Sequence, residues 1–352
     1  MFISAHGSYL VVGQDGLEQR FLCAFYDDDT PPPATARDLV KAGYGIERRD
    51  HDIVTFFRND AGFLSSSPSL ALYHMPGVDR CETFRDIDQA ILPPPLPYIK
   101  EAEHISKKIH QVGIFRDKPG SYPEAYVENR NTVVSMNQSY EYYFWSEGGF
   151  YEIKEFIKEH YGEEILDYYE AISPDYPAAR ADFFRYLCLY AVGGVYFDLK
   201  TSFTHSLDTT IRPGDRFLLS RWYHGAQVHL EIEHMPYGEY EQYYIICAAG
   251  HPLMRRIIQQ ALCNIRVYRP FLNGTGSYGV LRFIGPLMYS MIVHEYRKGC
   301  EDIVRNIHSW SNGIQYSIFR NHDDHHKHQL GEKHYYRRDT PIVTDGYFPW
   351  AD

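Results

Sequence analysis

Cysteine is scarce and unpaired in this chain. The six thiols, Cys23, Cys81, Cys188, Cys247, Cys263 and Cys300, are scattered with no C-x-x-C pair, which argues against a disulfide framework and fits reduced side chains inside apolar runs. Positive charge is also short. Lys and Arg number 35 against 46 Asp and Glu, a net charge of −11 and a pI of about 5.9. Such a surface is not built for nucleic acid or anionic lipid. Long apolar runs are missing too: the longest, Phe183 to Phe197, is below membrane-spanning length and is interrupted by Arg185. The first residues lack the charged-then-apolar layout of a signal peptide, so a cytoplasmic location is expected.

What is present is ordinary globular composition, 44% apolar and 23% charged, with aromatics at 16% and 31 tyrosines. Aromatic-rich cores explain most of that surplus, although sugar stacking would use it as well. Residues 1–92 read as a small β domain. Ser8–Gly13, an Asp15-Gly16 turn and Arg20–Tyr26 make a hairpin, with further strands at Ile53–Phe57 and Leu70–His74. Its shape is expected to be a half-barrel or trefoil-like piece, serving as a structural cover or as a glycan- or partner-binding module. The prolines of Leu92-Pro-Pro-Pro-Leu-Pro then predict an extended, semi-rigid linker over 93–104.

From residue 105 the pattern turns α/β. Ile109, Val112 and Ile114 mark a strand, Tyr140–Trp145 a second, and Tyr151–Tyr161 and Glu163–Ile172 two helices. The organising stretch follows. Pro177 suits a first helical turn and Gly193-Gly194 a helix stop. Between them Phe183, Leu187, Tyr190 and Ala191 recur at helical spacing, predicting one buried stripe. Asp182 and Arg185 stand three apart and share a face. Val195–Phe197 is a short strand, and alternation predicts that Asp198 and Lys200 point to the same side beyond its carboxyl end, where α/β sheets bind ligands. Further on, the sequence predicts strands at Arg216–Ser220 and Tyr243–Ala249 and helices from Pro252 to about Val267 and from Pro286, whose N-terminus could face a phosphate.

Within this stretch, R-A-D-x-x-R-Y-x-x-L-Y-x-x-G-G-V-Y-x-D, Arg180 to Asp198, resembles the signature of glycosyltransferases that share a sugar-binding region containing a DXD motif. These are family 32 enzymes, similar to yeast α-mannosyltransferases and, more distantly, to clostridial toxin glucosyltransferase domains. The resemblance extends to Lys107–Gln111, Asn137–Trp145, Gln242–Met254 and Phe283–Ser290. Several ordered matches are more specific than one short motif.

The resemblance implies a GT-A-like domain over 105–352, a Rossmann-like mixed sheet flanked by helices. It also implies a nucleotide-diphosphate sugar donor (UDP or GDP) and hexose transfer, with retention, to a hydroxyl on a glycan, protein or lipid-linked acceptor, as in polysaccharide biosynthesis. By the same resemblance the donor would meet His110, Gln111, Asp182, Arg185, Tyr196 and Asp198, with Asp198, Lys200 and Gln242 at the reacting centre. Alternatives stay open for several of these: a surface ion pair for Asp182 and Arg185, a structural imidazole for His110, core packing for Trp145.

Three positions depart from the family pattern: Lys200 stands for the second DXD aspartate, Gly113 for a tryptophan and Gln242 for an asparagine. The family's DXD engages a divalent cation, Mn²⁺ or Mg²⁺, that neutralises the departing diphosphate. Here either the Lys200 ammonium supplies that charge, or a cation survives on Asp198 with ligands from elsewhere, or transfer is lost. Candidate extra ligands are His308 and His325, the latter in the dense run His322, Asp323, Asp324, His325, His326, His328, which also suits a solvated loop. Two other function classes stay open: a non-catalytic nucleotide-sugar or glycan-binding protein, which these departures favour, and a metal-dependent hydrolase using the His/Asp run. Peripheral contact with a membrane is left open; no nucleic-acid partner is expected.

Overall fold

The computed structural model describes residues 1–114, 123–222, 229–319 and 338–344. The N-terminal strands are β1 (Phe2–Ser4), β2 (Ser8–Gly13), β3 (Gly16–Phe21), β4 (Gly45–Arg48), β5 (Ile53–Arg58), β6 (Gly62–Ser66), β7 (Leu72–Met75) and β8 (Phe84–Asp86), with one short helix, α1 (Ala36–Lys41). They form an antiparallel sheet ordered β3-β2-β1-β8-β5-β6-β7, with β4 on β5. The sheet curls so that Gln19 of β3 donates to the carbonyl of Ala71, just before β7, at 2.8 Å.

The predicted hairpin is present, but its second strand stops at Phe21. Leu22–Tyr26 is a 3-10 turn, because Leu22, Cys23 and Ala24 are buried, and the Cys23 N–H is given to Gln260 Oε1 at 3.0 Å rather than to a strand. Arg85 of β8 likewise donates to the carbonyl of Val267 at 2.6 Å. The extended 93–104 segment is strapped down rather than free: the Leu96 N–H donates to Gln259 Oε1 at 3.0 Å and the Ile99 N–H to the Tyr190 hydroxyl at 3.3 Å.

The second sheet holds β9 (Lys108–Val112), β10 (Glu141–Ser146), β11 (Tyr151–Glu152), β12 (Gly194–Phe197), β14 (Phe217–Leu219), β15 (Tyr244–Cys247) and β16 (Val304–Asn306); β13 (Ser202–Phe203) pairs separately with β17 (Ile314–Gln315). Its order is β11-β10-β9-β12-β15-β14-β16. The first four strands are parallel, β15 runs against both β12 and β14, and β16 is parallel to β14. The carboxyl ends of β9, β10, β12, β14 and β16 therefore meet the amino end of β15 along one edge. Helices α2 (Glu124–Met136), α3 (Ile153–Tyr161), α4 (Glu163–Ala171), α5 (Pro177–Val192), α6 (Pro252–Arg266), α7 (Pro270–Asn273), α8 (Gly276–Phe283) and α9 (Pro286–Tyr296) complete this mixed α/β architecture.

Helix α5 starts at Pro177 and ends where Gly193 takes φ +65° and returns its N–H to Leu189. A single buried stripe does not describe it. Phe183 through Tyr190 are all buried, whereas Ala191 is partly exposed, because the helix is enclosed by its neighbours rather than lying on a surface. Each fully buried Phe or Leu here contributes roughly 1.5–3 kcal/mol of transfer free energy. Gly194 has φ +112°, and a Cβ there would stand 2.5 Å from the carbonyl oxygen of Lys108. Glycine at this position lets β12 close against β9.

Candidate functional site

The site begins with the register of β12. Phe197 pairs with Tyr244, and the Asp198 N–H donates to the carbonyl of Tyr243 at 2.8 Å, so the carboxylate stands at the carboxyl-end edge of the sheet. Beyond it the chain turns, the Thr201 N–H returning to the Asp198 carbonyl at 2.9 Å. Strand alternation therefore does not carry on to Lys200. Its ammonium donates to the Tyr316 hydroxyl at 2.7 Å and lies 4.1 Å from the centre of that ring.

Arg185 is the hub on the other side. Its guanidinium, 4% exposed, is in contact with Asp182 Oδ1 through Nη2 and lies 3.4 Å from Asp198 Oδ1 through Nη1. The Tyr196 hydroxyl donates to the same Asp198 Oδ1 at 2.9 Å, and the Arg185 guanidinium lies 5.1 Å from the Tyr196 ring centre. Helical spacing places Asp182 and Arg185 on one face, and strand spacing places Tyr196 and Asp198 on one face; the glycine stop brings the two faces together. The pair is buried, not a surface ion pair. Burial pushes the Asp182 carboxyl up to about 7 against the pull of Arg185. Burial works against the Arg185 charge, but Asp182 together with Tyr196, Tyr186 and Asp198 outweighs it and the guanidinium is held above its ordinary range. Asp198, at 30% side-chain exposure, is the open member of the set, and among the described residues no hydrogen bond falls on its Oδ2. Arg185 thus links Asp182 to one oxygen of Asp198.

The remaining predicted residues divide. His110 is fully enclosed: Nε2–H donates to the Gly193 carbonyl at 3.0 Å and Nδ1 accepts from the Trp145 indole at 3.2 Å. Burial lowers its pKa to about 4. With both nitrogens committed to the glycine stop and to Trp145, it braces the junction and offers no nitrogen to a donor. Gln111 accepts from the Tyr142 hydroxyl at 2.6 Å and lies 3.4 Å from the Asp198 carbonyl. It lines a shallow depression with Tyr126, Arg130, Tyr142 and Leu199 beside the edge. Gln242 is turned inward, its amide on the Tyr186 hydroxyl. Arg180 is paired with Glu147 and Arg282 with Glu231. His308 is exposed and, among the described residues, joins no metal cluster; His325 lies outside the described residues.

Sequence reasoning missed Tyr316, which holds Lys200, and Glu239. The Glu239 carboxylate is buried, accepts from the Trp222 indole at 2.9 Å, and is pushed up to about 7 chiefly by burial. Its position just before β15 was visible, but its burial was not.

The described residues do not fit a divalent-ion site. A hard cation asks for several oxygen ligands, whereas Asp198 Oδ1 is occupied by a guanidinium and a phenol and Lys200 replaces the second carboxylate. Among the described residues no group of three His, Cys, Asp or Glu could hold a metal ion.

Residues 123–218, which contain α5, β12 and Asp198, match the family model for the glycosyltransferase sugar-binding region containing DXD motif. Among characterised relatives, the chain is 32% identical over 111 residues to inositol phosphoceramide mannosyltransferase 3 of Schizosaccharomyces pombe, covering 32% of this chain and 28% of that protein. It is 36% identical over 115 residues to mannosyl phosphorylinositol ceramide synthase SUR1 of Saccharomyces cerevisiae, 33% of this chain and 26% of the other. It is also 24% identical over 244 residues to the initiation-specific alpha-1,6-mannosyltransferase of Candida albicans, 63% of this chain and 62% of the other. The matched regions thus span only part of each relative. Among solved structures, the PaToxG glycosyltransferase aligns with TM-score 0.41 at 18% identity, covering 56% of this chain and 72% of that one.

Proposed function

We propose that this chain transfers a hexose from a nucleotide-diphosphate sugar to a hydroxyl acceptor. The observation that carries the reading is the Asp182–Arg185–Asp198 network with Tyr196, which presents one open carboxylate at the sheet edge inside the matched segment. Mannose is the favoured sugar, since the relatives are named as mannosyltransferases or mannosyl-lipid synthases. The same names favour a lipid-linked or glycan acceptor. In transfer, the bond between the sugar C1 and the diphosphate oxygen breaks, and the acceptor oxygen takes C1 with retention of configuration as its hydroxyl proton passes to the departing diphosphate. Asp198, fixed on one oxygen by Arg185 and Tyr196, meets the donor with the other. Lys200, steadied by Tyr316, supplies positive charge toward the leaving diphosphate. Six free thiols support a reducing, cytoplasmic setting.

The experiment is a thermal-stabilisation screen with UDP, GDP and their sugars, wild type beside Asp198→Asn. Saturation at 100 times Kd should add about 2.7 kcal/mol. Absence of stabilisation by every nucleotide would remove the reading. The inward turn of Gln242 favours a second reading, a nucleotide-sugar-binding protein without turnover. Slow nucleotide release from the donor without acceptor supports the enzyme; none supports the binder.

A further inference from the structure

On the flank of the same sheet, where β14 gives way to the following loop, Arg221 and Arg297 converge on one hydroxyl. Arg221 Nη2 and Arg297 Nη1 each donate to the Tyr240 hydroxyl at 2.7 Å. The Arg221 guanidinium lies 3.8 Å from the centre of the Tyr240 ring, and that of Arg297 at 6.0 Å. Tyr240 is wholly buried and its backbone N–H is tied to Ser290 Oγ of α9 at 2.9 Å, so the anchor is rigid. Among the described residues neither guanidinium has a carboxylate within 4.0 Å.

Two half-buried cations held on one neutral oxygen repel each other, and burial together with Arg297 pushes the Arg221 pKa down. More positive groups stand nearby. His294 precedes the end of α9, and after burial the influences that lower its pKa are His234, Arg221, Lys298 and Arg297; Glu233 and Glu295 act on His234. A purely structural account explains part of this, since cations suit a helix C-terminus and Arg221 also donates to the Gly238 carbonyl. It does not explain why a chain of net charge −11 leaves two converging guanidinium groups without an acid. The Arg297 guanidinium has one N–H on Tyr240 and, among the described residues, no other hydrogen bond, which leaves its remaining side-chain donors free. Planar forks with free N–H edges are the groups that take phosphate oxygens in pairs.

We propose that Arg221 and Arg297, clamped by Tyr240, form a binding site for a phosphate-type oxyanion that shares no residue with the Asp182–Arg185–Asp198 network. The phosphate could be that of a lipid headgroup or of a soluble phosphate ester, and the two sources are separable. Inorganic phosphate binding is measured by titration calorimetry on the full chain, for wild type and for Arg221→Gln/Arg297→Gln; vesicle co-sedimentation uses phosphatidylcholine with and without phosphatidylinositol. Wild type should bind phosphate, and the double variant should bind it at least tenfold more weakly while keeping its circular dichroism and phosphate-free melting temperature. An Arg297→Lys variant, which keeps the charge and loses the fork, should fall between them. Phosphatidylinositol-dependent sedimentation lost in the double variant identifies a lipid source; phosphate binding without sedimentation identifies a soluble one. Equal phosphate affinity in wild type and double variant, or none in either, overturns the proposal. These readouts need no glycosyl transfer, so failure of the enzymatic reading leaves them intact.

Discussion

Removing the Arg185 guanidinium should be among the most damaging single changes in the chain, and the reason is electrostatic rather than steric. Arg185→Gln keeps much of the side chain's bulk but leaves Asp182, at 13% side-chain exposure, without its cation. Breaking a buried pair from one side costs about 3–5 kcal/mol, because the orphaned charge stays desolvated. The arm to Asp198 adds little: at 3.4 Å and 30% exposure that carboxylate is partly screened, worth under about 1 kcal/mol. The Asp182 carboxyl can escape by taking a proton, so the loss should be larger at pH 8 than at pH 6. Urea unfolding of wild type, Arg185→Gln, Asp182→Asn and the double variant closes the cycle. The double variant should recover at least about 2 kcal/mol of the single-variant loss, since it buries no orphaned charge. A loss below about 1 kcal/mol in Arg185→Gln, or no recovery in the double variant, would refute the buried-pair reasoning.

Restoring the family's second carboxylate with Lys200→Asp should shift transfer from chelator-resistant to Mn²⁺-dependent; complete loss of wild-type turnover in EDTA with recovery by Mn²⁺ would contradict this. Glu239, raised from 4.5 to about 7 in the folded protein, binds its proton more tightly when folded. Its stabilising contribution is therefore complete below pH 4.5 and is lost as pH rises toward 7, by up to roughly 1.4 kcal/mol per pH unit. Glu239→Gln should flatten that slope in urea melts between pH 5 and 7.5; an unchanged slope counts against the assignment. Gly194→Ala forces a Cβ onto the Lys108 carbonyl at φ +112° and should cost more than about 2 kcal/mol by chemical denaturation. A loss within about 0.5 kcal/mol would mean that β12 can shift.

Much of this was legible because the signals were local. Pro177, the Gly193-Gly194 stop and the three-residue spacing of Asp182 and Arg185 each name a backbone or a face, and the structure puts helix, stop and strand where those residues require them. What failed depended on neighbours. The Leu22–Tyr26 run has strand composition, yet its burial side is set by Gln260, more than two hundred residues away. The stripe expected on α5 assumed an open face that the surrounding helices and sheet close. Period-two alternation could not place Lys200, because the chain turns immediately after Asp198 and the partner, Tyr316, sits in a stretch without a motif. His110 reads as a ligand or as a brace from sequence alone; only Gly193 and Trp145, one on each nitrogen, decide it.

The central claim is that the Asp198 carboxylate, fixed by Arg185 and Tyr196, meets the sugar donor. Its most direct test is nucleotide release from the donor by wild type and Asp198→Asn, compared at equal folded fraction with and without acceptor. The asparagine variant should lose at least about a hundredfold, near 2.7 kcal/mol of barrier, with its unfolding midpoint little changed. Wild-type turnover by Asp198→Asn would contradict the account.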